Sequence, residues 1–310
     1  MTSIYEPDLA GALERAVGRL RRGLDKFSPP LAAAMDAWLN KLTGPRALAD
    51  YFTHLRAFPI MLFPWWMEAR LAGIHDLGFQ EDLAVSSFSG YLYIRLIDNI
   101  MDEPGSADLR LLPLANYFHT EFQSAYFKRF PPGDDFWNVF HRTWMRSAEA
   151  SFLDAGGESI DERRFLDVSA KKTCAGKIPL AAVCRRYDLR AVPEPWLKAF
   201  DLAAAFHQMF NDLFDFQRDL EAGTATYFLS EGMRRKGEME TMAGWVLREG
   251  FDWGRDRLDV WLGELALCAE ACGSPGMKTY VERRALDLRT TSGEVGAGLQ
   301  NMKRLLEIKP

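Results

Sequence analysis

The stretch from Phe88 to Asp102, FSGYLYIRLIDNIMD, decides the fold. Leu92, Ile94, Leu96, Ile97, Ile100 and Met101 cover most of a helix's circumference with apolar side chains. A single polar line is left over. Tyr91, Arg95, Asp98 and Asp102 follow at steps of four, three and four, which stacks them along one face of a 3.6-residue helix, with Glu103 beside its end.

A second stretch, DLAAAFHQMFNDLFDFQRDLEAG, repeats the arrangement. Gln208, Asn211, Asp215 and Asp219 form its polar line at steps of three, four and four, with Asp212 adjacent. Phe206, Met209, Phe210, Leu213, Phe214, Phe216 and Leu220 supply the apolar remainder. A helix this apolar packs in an interior, where an uncompensated carboxylate is costly. Carboxylates one turn apart also repel, by roughly 0.2–0.5 kcal/mol per pair on an isolated helix. The rows therefore call for a cation. Mg²⁺ suits them, because it takes oxygen ligands and bridges one or two carboxylates to substrate phosphates. The five histidines are scattered and assemble no transition-metal cluster. Against this stands the plainer reading of two acidic surface faces balanced by Arg95, Arg218 and neighbouring lysines. Two such rows on helices this apolar favour the metal.

Outward from these segments, helical periodicity recurs throughout, and no alternating strand or internal repeat is evident. The expected helices are 8–25, 30–43, 47–56, 61–73, 79–103, 108–129, 134–154, 161–187, 194–221, 238–270 and 275–306. Breaks are expected at Pro29-Pro30, Pro104-Gly105, Pro131-Pro132-Gly133, Gly156-Gly157, Pro193 to Pro195 and Gly223. None is long enough for a domain linker, so residues 1–310 are expected to form one all-α domain.

A net charge of −5 offers no electrostatic case for nucleic acid. Cys174, Cys184, Cys268 and Cys272 show no zinc-type pairing, and a reducing cytoplasm is the expected setting. Glu6, Asp8 and Glu14 stand where a secretory signal would be basic, so no targeting segment is expected. The longest apolar run, Phe58 to Met67, is too short to span a bilayer. Membrane contact is thereby restricted to peripheral association, and the expected assembly is a monomer or homodimer.

In these residues the chain resembles the squalene/phytoene synthases and, more widely, the class I isoprenoid synthases. Tyr91, Arg95, Asp98 and Asp102 match a first motif with Tyr and Arg upstream of DxxxD, and Gln208, Asn211, Asp215 and Asp219 match QxxNxxxDxxxD. The last three also fit the spacing of the Asn-Ser/Thr-Glu triad of terpene cyclases. Lys171 to Ala182, KKTCAGKIPLAA, lies where the family carries a small-residue helix break. The resemblance covers roughly residues 85–230. It implies antiparallel helices around a central apolar cavity, with Mg²⁺ ions holding a prenyl diphosphate at the cavity mouth. Asp98, Asp102, Asn211, Asp215 and Asp219 are the implied metal ligands. Arg95 joins them as a catalytic residue, with Tyr91, Lys171, Gln208, Arg218 and Tyr227 on the substrate.

Three positions depart from the family pattern: Asn99 replaces a second consecutive Asp, Phe214 replaces an arginine, and Thr224-Ala225-Thr226-Tyr227-Phe228 lacks another. Missing arginines remove bidentate phosphate donors, which favours one substrate diphosphate over two. The reading ranks a terpene synthase acting on a C15 or C20 diphosphate first and a head-to-head synthase second. A chain-elongating synthase, suggested by Asn211-Asp212-Leu213-Phe214-Asp215 and Lys172-Thr173, comes third, ahead of a helical scaffold without chemistry. Arg163, Arg164, Lys172 and Lys177 are further candidate diphosphate partners. Phe58, Trp65, Trp66, Phe88, Phe206, Phe210 and Phe214 are candidate cavity residues, though rings at helical spacing are more often ordinary core.

Overall fold

A computed structural model describes residues 3–102, 108–154 and 160–307, with the backbone alone for 102, 151, 153, 154, 300 and 302–307. Every regular element among the described residues is helical. In chain order these are α1 (Pro7–Leu24), α2 (Pro29–Thr43), α3 (Leu48–Thr53), α4 (Leu62–Ala72), α5 (Leu77–Asp102), α6 (Leu112–Phe127) and α7 (Phe136–Asp154). There follow α8 (Glu162–Lys172), α9 (Ile178–Arg186), α10 (Glu194–Phe214), α11 (Phe216–Glu221) and α12 (Tyr227–Arg235). The last three are α13 (Met242–Trp245), α14 (Phe251–Ala271) and α15 (Pro275–Glu307). The chain divides into two compact units, Met1–Ala155 with Cys174–Pro193, and Gly156–Thr173 with Glu194–Pro310.

In the first unit α5 packs on α1 and α6, and α9 packs on α4 and α7. The approach of α5 to α6 is close because Gly90 has no Cβ; one built there would lie 3.0 Å from the Phe122 ring. Two buried carboxylates tie these helices together, each supplied with donors as burial requires. Asp82 of α5 accepts from Arg19 of α1 at 2.8 Å and from Arg129 beyond α6 at 2.9 Å. Glu68 of α4, fully buried, accepts from Gln80 of α5 at 2.8 Å and from the Tyr187 hydroxyl beyond α9 at 2.7 Å.

In the second unit α10 is the central element and packs on α8, α12 and α14, while α15 runs against α14. Ala199, Ala203, Ala204 and Ala205 keep α10 slim, and Gly254 admits Leu213, whose methyl would be 2.7 Å from a Cβ at that position. Arg284 of α15 is 1% exposed, with its guanidinium 5.0 and 4.9 Å from the rings of Phe206 and Phe210. A cation over ring faces is a favourable place for a buried charge.

Helix boundaries depart from the periodicity in four places. The expected helix 161–187 is two, α8 and α9, joined by a 3₁₀ turn at Cys174–Lys177. Pro179 sits in the first turn of α9, where its missing N–H costs nothing; inside a continuous helix it would have left a carbonyl orphaned. The expected helix 194–221 breaks at Asp215, and the expected helix 238–270 begins with α13 and a π turn at Val246–Gly250. The fourth departure is α12, which lies where no helix is expected. Three consecutive apolar residues, Tyr227 to Leu229, hide its period, and its start is marked by Thr226, whose hydroxyl accepts the Leu229 N–H at 3.2 Å. The breaks expected at Pro104-Gly105 and Gly156-Gly157 lie outside the described residues. No helix among the described residues is long and apolar enough to cross a membrane.

Candidate active site

The first acidic row lies on α5, in the first unit. Leu92 and Leu96 are fully buried on the packed face, while Ile94, Ile97 and Ile100 are half-buried and Met101 is 41% exposed, so the polar line borders a face less enclosed than its apolar content suggests. Tyr91 is half-buried. Its hydroxyl lies 2.5 Å from that of Tyr51 on α3, and its ring meets Phe52 edge-on at 5.1 Å. Burial, then the Tyr51 hydroxyl, pushes the ionisation of Tyr91 far up, so it remains a neutral O–H donor. The charges of Arg95 and Asp98 both act on this hydroxyl, in opposite directions. Arg95 is exposed and Asp98 half-buried. The side chain of Asp102, and Glu103 entirely, lie outside the described residues.

The second row lies on α10 and α11, in the second unit. Gln208 and Asn211 are exposed, and Asp215 and Asp219 are half-buried. Asp215 occupies the break itself, with φ −105° and ψ 7°; its N–H still bonds the Asn211 carbonyl at 2.8 Å, and its carbonyl receives the Asp219 N–H at 3.2 Å. The helical path is therefore kept across the break. Asp215 and Asp219 converge on one positive charge, with Arg218 Nη2 at 2.9 Å from Asp215 and 3.3 Å from Asp219. The Arg218 side chain is 73% exposed, so solvent screens this pairing and makes it weak.

Asp212, one position off the row, has a different environment. It is 3% exposed and accepts hydrogen bonds from the Gln208 amide at 2.8 Å and from the Tyr227 N–H at the start of α12. Burial pushes its carboxyl up to about 7; Asp219 acts in the same direction, and Gln208, Tyr227 and Lys172 oppose it. Asp212 thus joins α10 to α12 and is withdrawn from the exposed row.

Tyr227 is buried, its ring stacked on Phe165 at 4.8 Å and edge-on to Trp253 at 5.6 Å. Its link to the row is the backbone N–H on Asp212. Lys171 pairs with Asp167 one turn back, at 2.6 Å, both about half exposed. Of the two adjacent lysines it is Lys172 whose charge reaches Asp212, because α8 packs on α10 along that side. Arg163 and Arg164 line a surface hollow of about 390 Å³ together with Asp161 and Asp167. Trp65, Trp66, Phe88, Phe206 and Phe210 are buried core side chains, and Phe58 and Phe214 are half-buried. Spacing alone could not identify Tyr51, which is selected by how α3 packs beside α5.

Among the described residues no three His, Cys, Asp or Glu side chains converge as a ready-made metal cage. The donors of the second row nevertheless fit Mg²⁺. They are hard oxygen ligands, two of them already share one cation, and Mg²⁺ needs only one or two carboxylates when phosphate and water complete its shell.

No protein-family model matches this chain, and no curated protein does. A solved structure does: the geranylgeranyl pyrophosphate synthetase from the archaeon Geoglobus acetivorans, with a TM-score of 0.64 and 18% identity over 88% of this chain and 96% of that one. The fold is that of the class I isoprenoid synthases.

Proposed function

We propose that residues 1–310 act as one Mg²⁺-dependent terpene synthase domain that ionises a single allylic prenyl diphosphate of C15 or C20 length and lets the carbocation cyclise or rearrange. The observation that carries this reading is the convergence of Asp215 and Asp219 on one cation, where the core-packed helix α10 gives way to α11, within an isoprenoid synthase fold. Asp98 and Asp102 on α5 of the first unit, and Asn211, Asp215 and Asp219 on α10 and α11 of the second, are the residues proposed as Mg²⁺ ligands, each row taken by itself. When bound, Mg²⁺ supplies Lewis-acid stabilisation of the charge that develops on the departing diphosphate.

The chain's own residues do the rest. Arg218, weakly held and exposed, exchanges its carboxylate partners for diphosphate oxygens, where a guanidinium can bond two at once. Arg95, exposed beside Asp98, presents a second guanidinium. Tyr91, kept protonated, donates a hydrogen bond without competing for the proton balance. Lys172 supplies positive charge on the α8 side of α10, a role for which Lys171, paired with Asp167, is less well placed.

The experiment is incubation of the protein with Mg²⁺ and geranyl, farnesyl or geranylgeranyl diphosphate, with mass spectrometry of the organic extract and measurement of released diphosphate. A hydrocarbon or alcohol of the substrate's carbon count is expected, reduced by about 100-fold or more in Asp98→Asn and Asp215→Asn. A product of doubled carbon count would replace this reading with head-to-head condensation.

Chain elongation is the second reading, favoured by the fold likeness to a geranylgeranyl pyrophosphate synthetase. The withdrawal of Asp212 from the exposed row opposes it. Incorporation of labelled isopentenyl diphosphate would establish it, and absence of any product or diphosphate release would leave a scaffold.

A further inference from the structure

The end of α9 builds a second charged site, remote from the acidic row of α5. Arg185 and Arg186 occupy the last turn of α9, and the chain beyond it closes with the Leu189 N–H on the Cys184 carbonyl at 2.9 Å. That closure holds Asp188 at φ 58°, the left-handed position at which glycine usually ends a helix. Arg129, in the turn after α6, joins the group, its N–H bonded to the Tyr126 carbonyl at 2.9 Å. With Phe79 and Asp134 these residues line a hollow of about 260 Å³, all of it within the first unit. Phe79 lies on α5, and Asp98 is nineteen residues further along that helix, about 28 Å away.

Each of the three guanidinium groups is held by a carboxylate. Arg129 Nε and Nη2 reach Asp82 at 2.9 and 2.6 Å, Arg185 Nε and Nη2 reach Asp134 at 2.8 and 3.0 Å, and Arg186 Nη2 pairs with Asp76. Asp134 is itself fixed, since it also accepts the Phe136 N–H at 2.9 Å. The fully buried Phe79 ring has the Arg129 and Arg186 guanidinium carbons 5.6 and 4.8 Å from its centroid. A guanidinium carries five N–H donors, and one carboxylate engages about two of them. The arginines are thereby set in position while each keeps donors for a further oxyanion. Arg185 and Arg186 are exposed and Arg129 half-buried, so a ligand from solvent can reach them. A carboxylate ligand would occupy a single guanidinium fork. Three guanidinium groups brought from two elements suit a tetrahedral group, whose oxygens diverge. Asp188, exposed on the rim, acts electrostatically on Arg185 and opposes a bare anion. We infer that this hollow binds a phosphate group, either free or carried by a small organic phosphate, on the donors of Arg129, Arg185 and Arg186, with Asp188 placed to accept a hydroxyl of the carrier.

Isothermal titration calorimetry of the full chain with inorganic phosphate and, separately, glycerol 3-phosphate tests this. EDTA and about 150 mM NaCl are present throughout, so that no metal bridges phosphate to the acidic rows and loose surface attraction is screened. Saturable binding of one ligand per chain is expected. Arg185→Gln and Arg186→Gln should each weaken it by about tenfold or more. Both side chains are exposed, so the melting temperatures of these variants without ligand should stay close to that of the unmodified chain. Arg129 is a poorer probe, because it neutralises the buried carboxylate of Asp82. Asp188→Asn tests the site with the opposite sign: asparagine tolerates the left-handed conformation, and loss of the negative charge should tighten inorganic phosphate by about threefold or more. Tighter binding of glycerol 3-phosphate than of inorganic phosphate identifies an organic phosphate as the ligand, and the reverse order identifies free phosphate. The inference is overturned by the absence of saturable heat up to about 10 mM of either compound, by binding indifferent to both arginine substitutions, or by an Asp188→Asn chain that binds inorganic phosphate no more tightly than the original.

Discussion

Asp212 shows how little separates a ligand from a packing group. It neighbours Asn211 in sequence, yet one residue is about 100° around the helix, enough to turn its carboxylate from the exposed row into the junction with α12. Removing it should be felt as lost structure. Asp212→Ala leaves the Gln208 amide and the Tyr227 N–H without their acceptor, at a cost of about 1–3 kcal/mol. Urea unfolding should show this as a lower midpoint with unchanged slope, and Asp212→Asn, which keeps an acceptor oxygen, should recover much of it. Spacing groups Gln208, Asn211, Asp215 and Asp219 into one row, and all four are exposed or half-buried where the apolar content of the stretch led an interior helix to be expected. The separate role of Asp212 was not, because no property of the sequence says which neighbour a helix flank will meet.

Elements meet through a few buried polar groups, and the cluster around Glu68 joins α4, α5 and α9. His75 belongs to it, its ring stacked on Trp65 at 3.3 Å and Nδ1 3.6 Å from the Glu68 carboxylate. Burial lowers the affinity of this imidazole for a proton, and it outweighs the opposing pull of Glu68, Glu6 and Asp8. The folded state therefore resists a proton that the unfolded chain accepts. Above the ordinary histidine value both states are neutral and His75 contributes nothing to pH dependence. As pH falls below about 6.5, the unfolded chain gains the proton first and stability is lost until the folded state is protonated as well. Urea midpoints should fall from about pH 7 to about pH 5, and His75→Gln should flatten that fall.

At the scale of the whole molecule the proposed chemistry predicts a linkage. If Mg²⁺ and diphosphate bind the folded chain alone, saturating them should raise stability by about 2.7 kcal/mol at a hundred times the dissociation constant. Inorganic diphosphate with Mg²⁺ should raise the melting temperature, EDTA should reverse the rise, and Asp215→Asn should remove most of it. Mg²⁺ without diphosphate should do far less, since carboxylates supply only part of its shell.

By itself the sequence determined the helical class, the two polar rows and their oxygen chemistry, because each depends on periodicity within one helix and needs no partner to be read. Among the described residues it placed the breaks at Pro29-Pro30, Pro131 to Gly133, Pro193 to Pro195 and Gly223, where proline or glycine ends a helix for backbone reasons. Tertiary structure decided what depends on packing: the interruption of α10 at Asp215, the start of α12 beneath Asp212, and the pairing of Tyr91 with Tyr51. These follow from which face of one helix lies against another, and side-chain spacing along a single helix carries no record of that neighbour.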